Sequence, residues 1–246
     1  MVKPCTKEHP MDQQELKNMV GEAAAAEVGD GMHIGIGTGS TAEAFIRALA
    51  KRVDGGLSVH GVPTSERSAD LCRQLGIPIG TLNDLGPLDL TIDGADEVDG
   101  ALNLIKGGGG AHLREKIVAS ASDRVLIIVD ESKIVRHLGA FPLPIEFVPF
   151  EADYTARMVQ AMMSEILERD VDCVQRMADD GFAFMTDSDN FIWDFHCGVI
   201  SDPESLALAL DTVPGLVEHG LFVELADAVM TASGQGVRTI HRGMVE

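Results

Sequence analysis

Met32-His-Ile-Gly-Ile-Gly-Thr-Gly-Ser-Thr41 is the stretch on which the fold turns. Residues 32–36 read as a short strand, 35–40 as a glycine-rich turn and 41–52 as a helix, with Ser40 and Glu43 at capping-box spacing. The alternation continues on both sides. A helix is predicted over 15–28, where Leu16, Val20, Ala23 and Ala24 recur at helical spacing and Gly29 to Gly31 end it. Downstream come a strand over 57–62, a helix over 65–75 closed by Gly76 and Pro78, and a strand over 88–92. A helix over 110–122 and a continuous apolar strand over 125–129 follow. Strands that alternate with helices, some apolar on both faces, build a parallel sheet covered on both sides. The expected fold class is α/β: a Rossmann-like, mostly parallel sheet with helices on both faces.

After Phe141 the texture changes. Pro142-Leu-Pro144 breaks the pattern, 156–167 is a Met-rich helix, and runs at 182–185 and 191–195 flank a turn at Asp189-Asn190 that predicts a hairpin. A short helix over 205–210 and strands over 221–225 and 237–241 complete the chain. This predicts a smaller α+β lobe over 142–217, expected to make subunit contacts. Residues 1–141 and 218–246 form the main domain.

Nineteen Lys and Arg stand against 39 Asp and Glu, for a formal net charge of −20 and a pI near 4.6. A surface this acidic repels nucleic-acid backbones and anionic membranes, so neither is an expected partner. An anionic substrate needs its own local positive site. Cys5, Cys72, Cys173 and Cys197 form no C-x-x-C pair and match no zinc spacing, so free thiols in a reducing compartment are expected. The start of the chain lacks the apolar run of a signal peptide, and no stretch nears the roughly 20 apolar residues of a membrane span. Cytoplasmic localisation is the reading that follows.

Four segments could carry chemistry. Gly35-Ile-Gly-Thr-Gly-Ser-Thr41, between strand and helix, offers backbone N–H groups, a helix N-terminus and hydroxyls to an anion. Ser40 stands where a dinucleotide fingerprint wants Gly, and no Lys follows as in a Walker loop. Asp93-Gly-Ala-Asp-Glu97 ends a strand, where open α/β sheets hold ligands, and its carboxylates suit sugar hydroxyls or proton transfer. A calcium loop fails there, because Gly100 would put Ala95 at the first ligand position. Lys106-Gly-Gly-Gly-Gly110 accepts a high entropic cost for close backbone approach, and Lys106 adds fixed positive charge. It leads into a helix on which Leu113, Ile117 and Ala121 share an apolar face and Glu115 points away. His112 reads as a helix-start residue. Last, Ile127-Ile-Val-Asp-Glu-Ser-Lys133 brings Lys133 to the same sheet edge.

Together these segments resemble ribose-5-phosphate isomerase of the A type. The resemblance rests on Gly37-Thr-Gly-Ser-Thr-Ala42, Asp93-Gly-Ala-Asp-Glu97, Lys106-Gly-Gly-Gly109 with Arg114-Glu-Lys116, Ser132-Lys133 and Pro142-Leu-Pro-Ile-Glu146, in that order. It implies aldose–ketose isomerisation of ribose 5-phosphate and ribulose 5-phosphate in the non-oxidative pentose phosphate pathway, with no cofactor and no metal, by a homodimer or homotetramer. Glu115 would be the general base. Lys106 would stabilise the developing oxyanion, and Asp93 or Asp96 would serve ring opening or hydroxyl proton transfer. Thr38, Gly39, Ser40 and Thr41 would form one substrate loop, Gly94, Ala95 and Asp96 a second, and Gly107, Gly108 and Gly109 a third, with Lys17 and Lys133 as further contacts. Two other readings compete. A non-catalytic sugar-phosphate sensor would carry a basic helix-turn-helix segment, which this chain lacks. A nucleotide-dependent oxidoreductase would want Gly at 40 and an acidic residue after the second strand.

Overall fold

The computed structural model describes residues 12–242, so Cys5 and both chain ends lie outside the described residues. Helix α1 (Gln13–Ala26) opens with a reciprocal capping box: Asp12 accepts from the Glu15 N–H at 2.7 Å, and Glu15 accepts from the Asp12 N–H at 3.0 Å. Then come β1 (His33–Ile36), α2 (Ser40–Asp54), β2 (His60–Pro63), α3 (Glu66–Gln74), a single turn α4 (Leu82–Leu85) and β3 (Leu90–Asp93). Two short strands, β4 (Glu97–Val98) and β5 (Leu104–Ile105), precede α5 (His112–Ser120) and β6 (Val125–Asp130). The second part holds β7 (Leu143–Phe147), α6 (Ala152–Ile166), β8 (Asp172–Gln175), β9 (Phe191–His196), α7 (Pro203–Leu210) and β10 (Leu216–His219). Short β11 (Leu221–Phe222), β12 (Ala228–Ser233) and β13 (Gly236–His241) close the fold.

The main sheet runs β13-β12-β6-β3-β1-β2, all parallel except the edge strand β13. Strand period decides how it is covered. In β6, Leu126 and Ile128 join Phe45, Ile46 and Leu49 of α2 and Val20 and Ala24 of α1 on one face. Val125, Ile127 and Val129 join Ala119 of α5 and Phe222 on the other. Both faces are buried, as the apolar run over 125–129 predicts. Because β2 lies on one side of β1 and β3 on the other, the chain reverses direction between β1 and β3. That crevice at the strands' carboxyl ends is where doubly wound sheets bind ligands.

A second, antiparallel sheet β10-β7-β9-β8 packs against α6 and α7 around Phe147, Trp193 and Phe195. A third links β11, β5 and β4. Here the structure departs from the sequence pattern. Pro144 does not break the chain but lies inside β7. Its carbonyl accepts from the Gly220 N–H at 2.8 Å just beyond the end of β10, where no donor is needed of it. Residues 182–185 make only isolated bridges, so the true partners of β9 are β7 and β8. Strand β10 crosses the boundary drawn at 217/218. At α2 the helix begins one residue early: Gly39, at φ 104°, is the N-cap and makes no side-chain cap, so Ser40 is helical and free of the predicted capping box.

Candidate active site

Loops after β1, β3, β5 and β6 meet over the crevice. They enclose a pocket of about 190 Å³ lined by Gln13, Lys17, Thr38, Gly39, Ser40, Thr41, Gly94, Ala95, Asp96, Lys106, Gly107, Gly109, Glu115, Asp130 and Lys133. Lys17 reaches it from α1 and Glu115 from the first turn of α5. The N-terminus of α2, with its unpaired N–H groups and partial positive charge, opens onto the same space. An otherwise acidic chain thus places three lysines, Lys17, Lys106 and Lys133, and a helix end around a space where an anion could sit.

The centre is a buried trio. Lys106 Nζ lies 3.1 Å from Asp93 Oδ2 and 3.2 Å from Glu115 Oε2, and it donates a hydrogen bond to the Gly94 carbonyl. Asp93 Oδ1 accepts from the N–H groups of Thr38 at 3.0 Å and Gly94 at 2.7 Å, so Asp93 is held from three sides. Glu115 Oε2 is buried, with the ammonium at 3.2 Å as its only close polar partner, and Glu115 borders the pocket. One cation cannot neutralise two buried carboxylates, and an uncompensated buried charge costs several kcal/mol. Proton affinity absorbs the imbalance. Burial, then the Asp93 carboxylate, push Glu115 up to about 8, against the pull of Lys106. Burial also raises Asp93, opposed by Lys106 and the two N–H donors. For Lys106, burial favours the neutral amine, but Asp93 and Glu115 outweigh it and raise the ammonium to about 12.

The close fit of β1 on β3 explains one glycine of the opening motif. A Cβ on Gly37 would fall within 2.5 Å of the Asp93 Cα. Only glycine lets these loops touch. Thr38 then bonds sideways through its hydroxyl to Thr64 at 2.7 Å and Ser65 at 2.8 Å.

Of the residues singled out from sequence, Lys17, Thr38, Gly39, Ser40, Thr41, Gly94, Ala95, Asp96, Gly107, Gly109 and Lys133 border the pocket with Lys106 and Glu115. Asp93 lies beneath its floor, reaching the site through Lys106. Gly108 does not border the pocket, but its N–H donates to Asp96 Oδ2 at 2.8 Å. The helix-face reading of α5 is corrected: Glu115 is on the buried face with Val118 and Ala119, while Ile117 is 51% exposed. The buried face mixes His112 and Glu115 with Val118 and Ala119, so apolar periodicity pointed to the wrong side. His112 starts α5, as predicted. Its ring is fully buried 3.6 Å from Glu146, and burial, then Lys116, hold it down to about 3, a neutral residue off the pocket. Sequence reasoning missed Gln13 and Asp130. Gln13 is one helical turn before Lys17, and Asp130 ends β6, so both were within reach of helix and strand spacing.

Fold and site together define an α/β enzyme with a buried acid–base centre beside a helix N-terminus flanked by lysines. The chain belongs to the ribose 5-phosphate isomerase A (phosphoriboisomerase A) family, whose model matches residues 60–236. It is 53% identical over 231 residues to the ribose-5-phosphate isomerase A of Agrobacterium fabrum, covering 94% of this chain and 99% of that one. It is similar to the solved ribose 5-phosphate isomerase A of Methanocaldococcus jannaschii, with a TM-score of 0.85 and 39% identity over 94% of this chain and all of that one. A solved D-ribose-5-phosphate isomerase in complex with phospho-erythronic acid superposes with a TM-score of 0.86 at 35% identity, over the same shares of the two chains.

Proposed function

We propose that this protein interconverts ribose 5-phosphate and ribulose 5-phosphate through an ene-diolate, without metal or cofactor. The substrate phosphate sits at the N-terminus of α2 against Ser40, Thr41, Lys17 and Lys133, which fixes the sugar and brings its first two carbons toward Glu115. Glu115 takes the proton from one carbon and returns it to the other. Lys106 and the N–H of the glycine loop stabilise the negative oxygen that forms between the two transfers. Asp96, on the wall, faces the sugar hydroxyls. Asp93, below it, sets the charge state of Lys106 and Glu115, and either carboxylate serves ring opening. Phospho-erythronic acid, bound by the related enzyme above, carries a planar carboxylate resembling the ene-diolate, which supports this reading.

The observation that carries the proposal is the Asp93–Lys106–Glu115 trio, with Lys106 and Glu115 both bordering the pocket. The test is turnover of ribose 5-phosphate in a coupled assay, with Glu115→Gln alongside. Loss of about 10²-fold or more in kcat is expected with substrate binding retained. Full activity in Glu115→Gln removes Glu115 from the mechanism. No turnover of any pentose phosphate by the unmodified protein favours a sensor.

The reading extends to a cytoplasmic homodimer or homotetramer in the pentose phosphate pathway, with the 142–217 lobe supplying subunit contacts beside a main domain of 1–141 and 218–246. Phe150 and Phe182, 81% and 75% exposed on that lobe, support it. Among the described residues no helix is long and apolar enough to cross a membrane. Light scattering on the purified protein measures the assembly.

A further inference from the structure

The glycine loop after β5 has two sides. Gly109 borders the active-site pocket, whereas Gly108 borders a separate groove with Arg176, Asp194 and Phe141. Arg176 follows β8 in the second sheet, far in sequence from the loop, and its side chain is only 14% exposed. Two of its nitrogens grip the Asp194 carboxylate on β9, Nε at 2.9 Å from Oδ2 and Nη2 on Oδ1. This fork fixes the guanidinium plane. The remaining Nη1 donates to the Gly107 carbonyl at 2.7 Å and the Gly108 carbonyl at 3.3 Å.

A trans peptide points its C=O and its N–H in opposite directions. With the Gly107 carbonyl held outward, the Gly108 N–H turns inward and reaches Asp96 at 2.8 Å. With the Gly108 carbonyl held outward, the Gly109 N–H must turn inward too. Among the described residues nothing accepts from that N–H. Gly107 sits at φ 106°, and within the loop the Gly110 N–H donates to its carbonyl at 2.9 Å. Among the described residues no bond inside the loop holds the Gly108 carbonyl, so its direction is selected from outside, by Arg176.

Resting on the isomerase reading above, we propose that Arg176 is a positioning residue for catalysis: by holding the Gly107 and Gly108 carbonyls away from the pocket, it aims the Gly109 N–H at the oxyanion that Lys106 also faces. Asp194 orients Arg176 for this. The second sheet thereby sets the geometry of a donor in the first.

The experiment compares Arg176→Lys, Arg176→Ala and Asp194→Asn with the unmodified enzyme. A lysine keeps the charge but cannot span a carboxylate and two carbonyls at once. Expected are a fall in kcat of about 10-fold or more and a KM within about 3-fold, because the phosphate seat is untouched. Affinity for phospho-erythronate should fall in proportion to kcat/KM, while inhibition by inorganic phosphate stays unchanged. Millimolar guanidinium should restore Arg176→Ala, whose side-chain space it can fill, and leave Arg176→Lys unaffected. If Arg176→Ala does not fold, the other two variants decide. A kcat for Arg176→Lys within about twofold of the unmodified enzyme, or a loss confined to KM, overturns the inference. Absence of turnover in the unmodified enzyme overturns the isomerase reading as well, so the two failures are distinguishable.

Discussion

Replacing Asp93 by Asn should move the acid limb of the activity profile down the pH scale. Glu115 must be ionised to act as a base, and it holds its proton to about 8 because it is buried and because Asp93 is close. Both carboxylates touch one ammonium, at 3.1 and 3.2 Å, which puts their oxygens no more than about 6 Å apart. At an effective dielectric constant near 20, two like charges at about 6 Å repel by about 3 kcal/mol, or about two pH units on the Glu115 midpoint. Asn removes that repulsion and leaves Lys106 to Glu115 alone, so both effects act downward. The amide is close to isosteric and can still accept from Thr38 and Gly94. The assay is kcat/KM for ribose 5-phosphate against pH, which reports the free enzyme. Ionisation of the substrate phosphate is common to both proteins and cancels in the comparison. The height of the profile will drop if Asp93 also assists ring opening, but its position is the readout. An acid limb that stays near 8, or moves up, refutes the electrostatic account of the trio.

Glu115→Gln should be more thermostable than the unmodified protein, increasingly so from about pH 5 to about pH 9. The folded state keeps a proton on Glu115 up to about 8 that the unfolded chain has lost near 4.5, so stability falls as pH rises through that window. Gln lacks this penalty, and a gain of about 1 kcal/mol would raise Tm by roughly 2–4 °C in a chain of this size. A Tm difference independent of pH would falsify the shift. Gly37→Ala should cost about 1–3 kcal/mol in chemical denaturation and much of the activity, because its methyl group meets the Asp93 backbone; an active, equally stable variant contradicts the tight β1–β3 contact. Cys72 and Cys197 are buried, with burial pushing their thiols up to about 11 and about 12. Alkylation of the native protein mapped by mass spectrometry should leave both unmodified until denaturant is added.

What could be read from the sequence followed from what each residue's periodicity and chemistry encode locally. Four parallel strands with their helices were legible because strands such as 125–129 are apolar on both faces and helices such as 65–75 close at Gly or Pro. The loops of the site were legible because glycine runs beside Lys106 and paired carboxylates at Asp93 and Asp96 are costly unless used. The remainder depends on tertiary contact. Strand β12, Ala228–Ser233, is inner and small-residue rich, so it shows no alternation. The burial of Glu115 was not legible from helix periodicity, because Lys106, nine residues earlier, is what holds it inside. The position of Gly108 off the pocket and the role of Asp93 beneath the floor are set by Asp96, Arg176 and Lys106, none of which local spacing can place.

The two margins of the main sheet bear on how the protein behaves when crowded. On one side, β13 turns Arg238, Thr239 and His241 to water. On the other, β2 is four residues long and finishes on Pro63, which has no N–H to offer. A stray extended segment meets a charge at one border; at the other, the Gly61 N–H and carbonyl are already taken by Pro78 and Gly80, so neither templates strand addition. The enzyme should therefore stay dispersed in concentrated solution where a flush-edged sheet of the same size would gel.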